Sequence, residues 1–116
     1  DAVAIFNYCQ NNNIEMFTTS HSIATLHYIA KKRVDEKELR LIIEDLLDTV
    51  SIIGVNEITI RKSLKSSHKD FEDAIQIISA QSINNMNCIV TRNIKDYKYA
   101  EINVFTPDEF LNKLNV

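Results

Sequence analysis

The length, composition and charge of the chain narrow the class of protein. With 116 residues, the chain is long enough to bury a hydrophobic core without disulfides or structural zinc, so we expect one domain over residues 1–116. Hydrophobic residues make up 45% and charged residues 25%, which excludes wholesale disorder, and a net charge of −3 argues against a protein that coats nucleic acid through bulk positive charge.

The sequence does not indicate a membrane protein or a disulfide scaffold. Its apolar runs are all shorter than the roughly 20 residues that a spanning helix needs, and the chain begins with an acid, Asp1, where a signal peptide would carry basic residues. Cys9 and Cys88 lie far apart in apolar segments, which is typical of reduced core residues. We therefore expect a cytoplasmic location and no membrane partner.

Helical and strand patterns alternate along the chain. In chain order they predict a helix over residues 1–11, a strand over 14–19, helices over 22–32 and from 35 or 36 to about 47, a strand over 50–55, helices over 57–64 and 70–84, strands over 87–91 and 102–105, and a final helix from 107. This alternation is the signature of an α/β fold with a mainly parallel sheet of about four strands flanked by helices. A single glycine and a single proline exclude the common Gly-rich phosphate loops.

Candidate helix caps and apolar stripes predict where the helices begin and which of their faces are buried. Ser20, Asn56 and Thr106 are the predicted N-caps, the last in a capping box that Glu109 completes. The helix from residue 35 or 36 is predicted to face the core with Leu39, Ile42, Ile43, Leu46 and Leu47. The helix over 70–84 is predicted to bury Phe71, Ala74, Ile75 and Ile78.

Acidic and polar side chains occupy the places where ligands collect in parallel α/β sheets. Asn93 and Asp96 follow a predicted strand, and Asp70, Glu72 and Asp73 begin a helix. These positions are typical of a ligand site at the carboxyl ends of strands. The alternative is structural, because Asp70 would serve equally as an N-cap and the neighbouring acids would offset the helix dipole.

A short basic run precedes the acids. Arg61, Lys62, Lys65 and Lys69 are separated by no acidic residue. Such a run either binds phosphates or forms a solvated helix end, and the pattern by itself favours the solvated end.

Three segments carry a resemblance to a known family. They are DFEDAIQ at residues 70–76, CIVTRNIKDY at 88–97 and VFTPDEF at 104–110. Together they resemble the PIN-domain family, and the resemblance extends over nearly the whole chain. It implies a small, Rossmann-like α/β fold and membership of a group that contains many metal-dependent ribonucleases, including toxins of bacterial toxin–antitoxin pairs.

The resemblance also implies roles for individual residues. Asp73 and Asp96 would be catalytic ligands of Mg²⁺ or Mn²⁺, and Asn93 would be a polar partner of the metal site. Arg92, at the rim with Thr91, would contact phosphate. The implied substrate is single-stranded RNA and the implied partner an antitoxin protein, while a homodimer stays open.

Two departures from the family pattern lower the expected activity. The family opens with a central strand ending in an Asp-Thr-Asn motif, and no such segment precedes Asp1, so we expect an N-terminally truncated domain. Thr25 stands where the family usually has a glutamate, and the nearby His21 and His27 are expected to be packing residues. With fewer carboxylates, metal binding is expected to be weak and the chain inactive or weakly active.

Three functions therefore follow from the sequence. The first is a PIN-like, metal-dependent endoribonuclease acting on single-stranded RNA. The second is a catalytically inactive PIN-like module that binds nucleic acid or protein through residues 61–69 with Arg92, Lys95 and Lys98. The third is a doubly wound domain serving assembly, in which the acids only cap helices.

Overall fold

The structure is a computed structural model that describes residues 2–114. Asp1, which belongs to the first predicted helix, and residues 115 and 116 lie outside the described residues. Along residues 2–114 the elements are α1 (Ala2–Asn11), β1 (Met16–Thr19), α2 (Ser20–Ala30), α3 (Glu36–Leu47), β2 (Val50–Ile53), α4 (Glu57–Lys65), α5 (Phe71–Gln81), β3 (Cys88–Val90), β4 (Asn103–Phe105) and α6 (Pro107–Leu114). A 3-10 helix, Ile94–Tyr97, lies between β3 and β4.

The chain divides into two compact units. The first, called here the β1–β2 unit, comprises residues 9–55. Its two strands pair in parallel, with Met16 opposite Val50 and Thr19 opposite Ile53. Just beyond the strands, the Val55 backbone N–H donates to the Ser20 hydroxyl at 2.9 Å, which ties the end of β2 to the start of α2.

The second, called here the β3–β4 unit, comprises the chain up to residue 8 and from residue 56 onward. In it β3 and β4 pair in parallel, with Cys88 opposite Asn103 and Val90 opposite Phe105. The Thr91 N–H donates to the Phe105 carbonyl at 2.9 Å, so the pairing continues one residue past β3. Helix α4 packs against α5.

The predicted α/β class and the parallel pairing are confirmed. The strands differ from the prediction in being short and in forming two separate pairs, and within residues 2–114 no third strand joins either pair. Neither pair has the width of the predicted four-stranded sheet. The single-domain organisation over residues 1–116 stays a prediction.

Helix starts follow the predicted cap chemistry at all but one position. Asn56 Oδ1 accepts from the Thr59 N–H at 3.0 Å. Thr106 Oγ1 accepts from the Glu109 N–H at 3.1 Å, while the Glu109 carboxylate accepts from the Thr106 N–H at 2.9 Å, which is the reciprocal capping box. The prediction of Ser20 as a cap is wrong by one residue, because Thr19 Oγ1 accepts from the Ser22 N–H at 3.0 Å.

The buried faces are narrower than the apolar stripes predict. Along α3 the buried residue is Leu39, whereas Ile42 and Leu47 are 48% and 45% exposed. Because α3 packs beside β2 in a sheet only two strands wide, its stripe extends beyond the surface that covers it. Phe71, predicted to be buried, is 43% exposed at the first position of α5.

Helix α5 supplies the main core of the β3–β4 unit. Its buried side chains are Ala74, Ile75, Ile77, Ser79 and Ala80.

Both cysteines are free, with Cys9 buried and Cys88 half-buried, as the sequence predicts. Among the described helices, none combines the length and the apolar character needed to cross a membrane.

Candidate active site

The start of α5 supplies two of the acids, and they have different surroundings. Asp70 is the N-cap, and its Oδ1 accepts from the Asp73 backbone N–H at 2.9 Å. The capping alternative is therefore correct for Asp70. It does not account for the Asp73 carboxylate, which belongs to a half-buried residue in the first turn of the helix.

The segment after β3 supplies the other polar residues. Asn93 donates through its side-chain Nδ2 to the Asp96 carboxylate, and the Asp96 N–H donates to the Asn93 carbonyl at 3.1 Å. The Asn93 N–H in turn donates to the Thr91 hydroxyl at 3.1 Å. Asn93 and Asp96, both predicted from the sequence, are thus direct neighbours in one hydrogen-bonded turn.

Tyr97 connects the turn to the helix. Its side chain is buried, with 7% exposed, and burial, together with the negative charge of Asp73, raises the pKa of Tyr97. The 3-10 helix that ends at Tyr97 packs against α5. Reasoning from the sequence missed this residue, although its place directly after Asp96 in the 88–97 motif was the available signal.

Negative charge is concentrated around Asp73. Burial is the largest influence and raises the pKa of Asp73, the nearby carboxylates of Asp70, Asp96 and Glu72 raise it further, and the neighbouring Tyr97 hydroxyl opposes them. Asp96 is therefore close enough for its charge to act on Asp73. A bound cation would stabilise the ionised form of a carboxylate that is partly buried among other negative charges.

The donor atoms are of the kind that hard divalent cations prefer. Asp73 and Asp96 offer carboxylate oxygens and Asn93 an amide oxygen, and Mg²⁺ is commonly held by one or two carboxylates together with waters and substrate phosphates. Across residues 2–114 there is no group of three or more His, Cys, Asp or Glu side chains that could hold a metal ion. The residues present therefore fit a weakly held cation.

The predicted basic residues lie in the same β3–β4 unit as the acids. Arg61, Lys62 and Lys65 are exposed on α4, and Lys69 is exposed next to the Asp70 cap. The Arg61 guanidinium is 2.6 Å from the Glu57 carboxylate, which offsets part of its charge. Arg92 is exposed between Thr91 and Asn93, directly within the polar turn.

His21 and His27, which lie near Thr25, belong to the β1–β2 unit. His27 Nε2 lies 2.9 Å from both carboxylate oxygens of Glu36, and Arg40 Nε lies 2.6 Å from one of them. Arg40 and His27 together lower the pKa of Glu36. His27 thus links α2 to α3 through the Glu36 carboxylate, and Thr25 is half-buried on α2.

Comparisons with known proteins identify the family. The family model described as the PIN domain matches residues 1–95, and the chain therefore belongs to the PIN-domain family. It is 26% identical over 110 residues to "Ribonuclease VapC1" of Aquifex aeolicus (strain VF5), a match that covers 90% of this chain and 74% of that protein. No solved structure gives a significant match.

Proposed function

We propose that the protein is a nuclease that cleaves single-stranded RNA with Mg²⁺ or Mn²⁺ bound at Asp73 and Asp96. The observation that carries the proposal is the packing of the 3-10 helix Ile94–Tyr97, which contains Asp96, against α5, which contains Asp73. Burial, and to a smaller extent the charges of Asp70 and Asp96, raise the pKa of Asp73 at this contact. Membership of the PIN-domain family and the similarity to a protein named a ribonuclease support the nuclease class.

Each residue of the site has a distinct part in this proposal. Asp73 and Asp96 would hold the cation, with Asn93 keeping the Asp96 carboxylate in place through its side-chain amide. The cation, when bound, lowers the pKa of a coordinated water and offsets negative charge at phosphorus. Arg92, as a planar guanidinium, would contact a phosphate. Lys62, Lys65 and Lys69, with Arg61, would attract the RNA backbone through charge.

The partners belong to the same proposal. An antitoxin protein is the expected binding partner, on the resemblance to PIN-type toxins, and a homodimer is a further assembly to be tested. Size-exclusion chromatography with light scattering gives the mass of the protein in solution. A mass equal to one chain would reject the homodimer and leave the nuclease proposal standing.

The test is cleavage of a labelled single-stranded RNA. The wild-type protein is expected to cleave weakly in the presence of Mg²⁺ or Mn²⁺ and to lose this cleavage in EDTA. Asp73→Asn and Asp96→Asn should each abolish cleavage, whereas Asp45→Asn, at an exposed acid on α3, should leave it intact. Cleavage that survives both Asp73→Asn and Asp96→Asn would reject the proposal.

The second candidate is a module that binds RNA without cutting it. Within residues 2–114 there is no group of three or more His, Cys, Asp or Glu side chains that could hold a metal ion, and this favours the second candidate. The exposed lysines at positions 62, 65 and 69 also favour it. In this case RNA binding should weaken steeply with salt and be lost when Arg61, Lys62 and Lys65 are all changed to Glu. Cleavage that depends on Asp73 would reject this candidate.

A further inference from the structure

The C-terminal end of α2 carries an exposed aromatic ring beside two cations. Tyr28 is 60% exposed, and the Nζ atoms of Lys31 and Lys32 lie 5.0 and 5.5 Å from the centroid of its ring. Lys98 and Lys113 each lie 5.0 Å from the centroid of a different ring, so among the described residues Tyr28 is the ring that two lysines share. Tyr28, Lys31 and Lys32, called here the Tyr28 site, therefore combine a flat aromatic surface with concentrated positive charge.

Helix geometry groups these three side chains. Lys31 and Lys32 follow Tyr28 by three and four positions, and residues with this spacing are neighbours on the surface of a helix. The Lys31 N–H donates to the His27 carbonyl at 2.9 Å, so helical hydrogen bonding continues to the end of α2. The grouping is therefore fixed by the backbone of the helix.

The positive charge of the Tyr28 site is not offset by neighbouring acids. Residues 16–34 contain no Asp or Glu, and within residues 2–114 no carboxylate lies within ion-pair distance of Lys31 or Lys32. Arg33, which is exposed, adds a third cation. Cations at the C-terminus of a helix also interact favourably with the helix dipole, which accounts for the lysines but not for the exposed ring.

A single-stranded nucleic acid matches both features of the Tyr28 site. Each nucleotide has a flat base, which stacks on aromatic side chains, and a phosphate, which attracts cations. An acidic peptide would pair with the lysines without using the ring, and in a duplex the faces of the bases are already covered by stacking. The combination of ring and lysines therefore favours a single strand.

We propose that the Tyr28 site binds one nucleotide of a single-stranded RNA, with the base stacked on the Tyr28 ring and the two lysines against the flanking phosphates. This inference rests on the proposed function, in which single-stranded RNA is the substrate. The Tyr28 site belongs to the β1–β2 unit, whereas Asp73 and Asp96 belong to the β3–β4 unit. The residues that stack the base are thus a different set from the acids, and RNA binding can be measured without cleavage.

The experiment is a fluorescence-anisotropy titration with a labelled oligouridine in EDTA, which removes the cation that the proposed cleavage needs. Loss of one stacked base weakens binding by between about fivefold and about 150-fold, and Tyr28→Ala should lose affinity in this range. Tyr28→Phe keeps the ring face and should bind like wild type. The melting temperature shows whether each variant is folded. If Tyr28→Ala does not fold, Tyr28→Leu, which keeps apolar volume without a ring, takes its place.

A strand without bases separates stacking from charge. An abasic oligomer with the same sugar-phosphate backbone should bind wild type and Tyr28→Ala equally well. Lys31→Gln and Lys32→Gln should each weaken binding to both strands and reduce the slope of log K against log salt by about 0.7, the contribution of one phosphate contact in a single strand. Lys37→Gln, at an exposed lysine on α3, is the matched control and should change neither the affinity nor the slope.

Three results would overturn the inference. They are wild-type protein that does not bind the oligouridine, Tyr28→Ala protein with wild-type affinity for it, and Tyr28→Ala protein that loses as much affinity for the abasic strand. Failure of the proposed function has a different signature, which is RNA cleavage that survives both Asp73→Asn and Asp96→Asn. Cleavage that needs both acids, together with RNA binding that does not need the Tyr28 ring, rejects only the inference.

Discussion

The backbone N–H of Asp73 donates a hydrogen bond to the Asp70 carboxylate at 2.9 Å. This bond caps α5, and it fixes in the first turn of the helix a residue, Asp73, whose own carboxylate has its pKa raised by burial and by neighbouring acids. The folded protein thus contains a carboxylate, that of Asp73, whose ionised form is disfavoured by its surroundings. Ionisable groups with shifted pKa values are concentrated at functional sites in proteins.

Replacing Asp73 with Asn should stabilise the metal-free protein at pH 7. Burial and the charges of Asp70 and Asp96 disfavour the ionised carboxylate, and Asn removes the charge while keeping a side chain of nearly the same size with a carbonyl oxygen. Since the folded-state pKa is raised, the destabilisation is absent below the unfolded-state pKa of about 3.9 and develops as the pH rises through the folded-state value.

Urea unfolding of Asp73→Asn in EDTA, at pH 3 and at pH 7, measures this effect. The variant should be more stable than wild type at pH 7, and the difference should shrink at pH 3. Asp45→Asn, at an exposed position, serves as the control. Lower stability of Asp73→Asn at pH 7 would show that the charge is compensated in the folded protein.

Asp70 should matter for stability through its cap. Its Oδ1 accepts from the Asp73 N–H at 2.9 Å, and loss of such a cap costs about 0.5–2 kcal/mol. Asp70→Ala should lower the free energy of unfolding by this amount, while Asp70→Ser, which can still cap the helix, should recover most of it. If the serine variant were as unstable as the alanine variant, the charge of Asp70 and not its hydrogen bond would be the stabilising feature.

Ile77 should be one of the most sensitive core positions. Its side chain is 0% exposed on α5, and truncation of a buried isoleucine to alanine typically costs about 2–5 kcal/mol through lost burial and the cavity left behind. Ile58→Ala, at a position that is 64% exposed on α4, is the matched control and should change the unfolding free energy little. Chemical denaturation of both variants measures the difference, and similar losses would contradict the placement of Ile77 in the core.

Glu36 should give the β1–β2 unit a pH-dependent contribution to stability. Hydrogen bonds from Arg40 and His27 lower the pKa of Glu36, so the stabilisation is present above the unfolded-state pKa of about 4.3 and is lost as the pH falls through the folded-state value. Thermal unfolding of Glu36→Gln should show a lower melting temperature at pH 7 and little difference from wild type at pH 3. Glu44→Gln, on the same helix and exposed, is the matched control and should change the melting temperature at pH 7 little.

The sequence by itself determined the features that depend on near neighbours in the chain. The caps at Asn56 and Thr106 involve hydrogen bonds to a residue three positions away, so the residue types suffice to predict them. The alternation of helix and strand patterns determined the α/β class for the same reason. The motif at residues 88–97 also identified Asn93 and Asp96 as candidates, and their direct hydrogen bond lies within one turn.

Only the tertiary structure decided which residues meet across separate elements. The packing of the 3-10 helix Ile94–Tyr97 against α5 joins two elements that are distant along the chain, and no local pattern specifies it. The exposure of Ile42 and Leu47 likewise depends on the extent of the sheet beside α3, because an apolar stripe shows which face can be buried but not how much surface covers it. Burial and the approach of charges from a separate element, which give Asp73 its environment, arise only when the chain has folded.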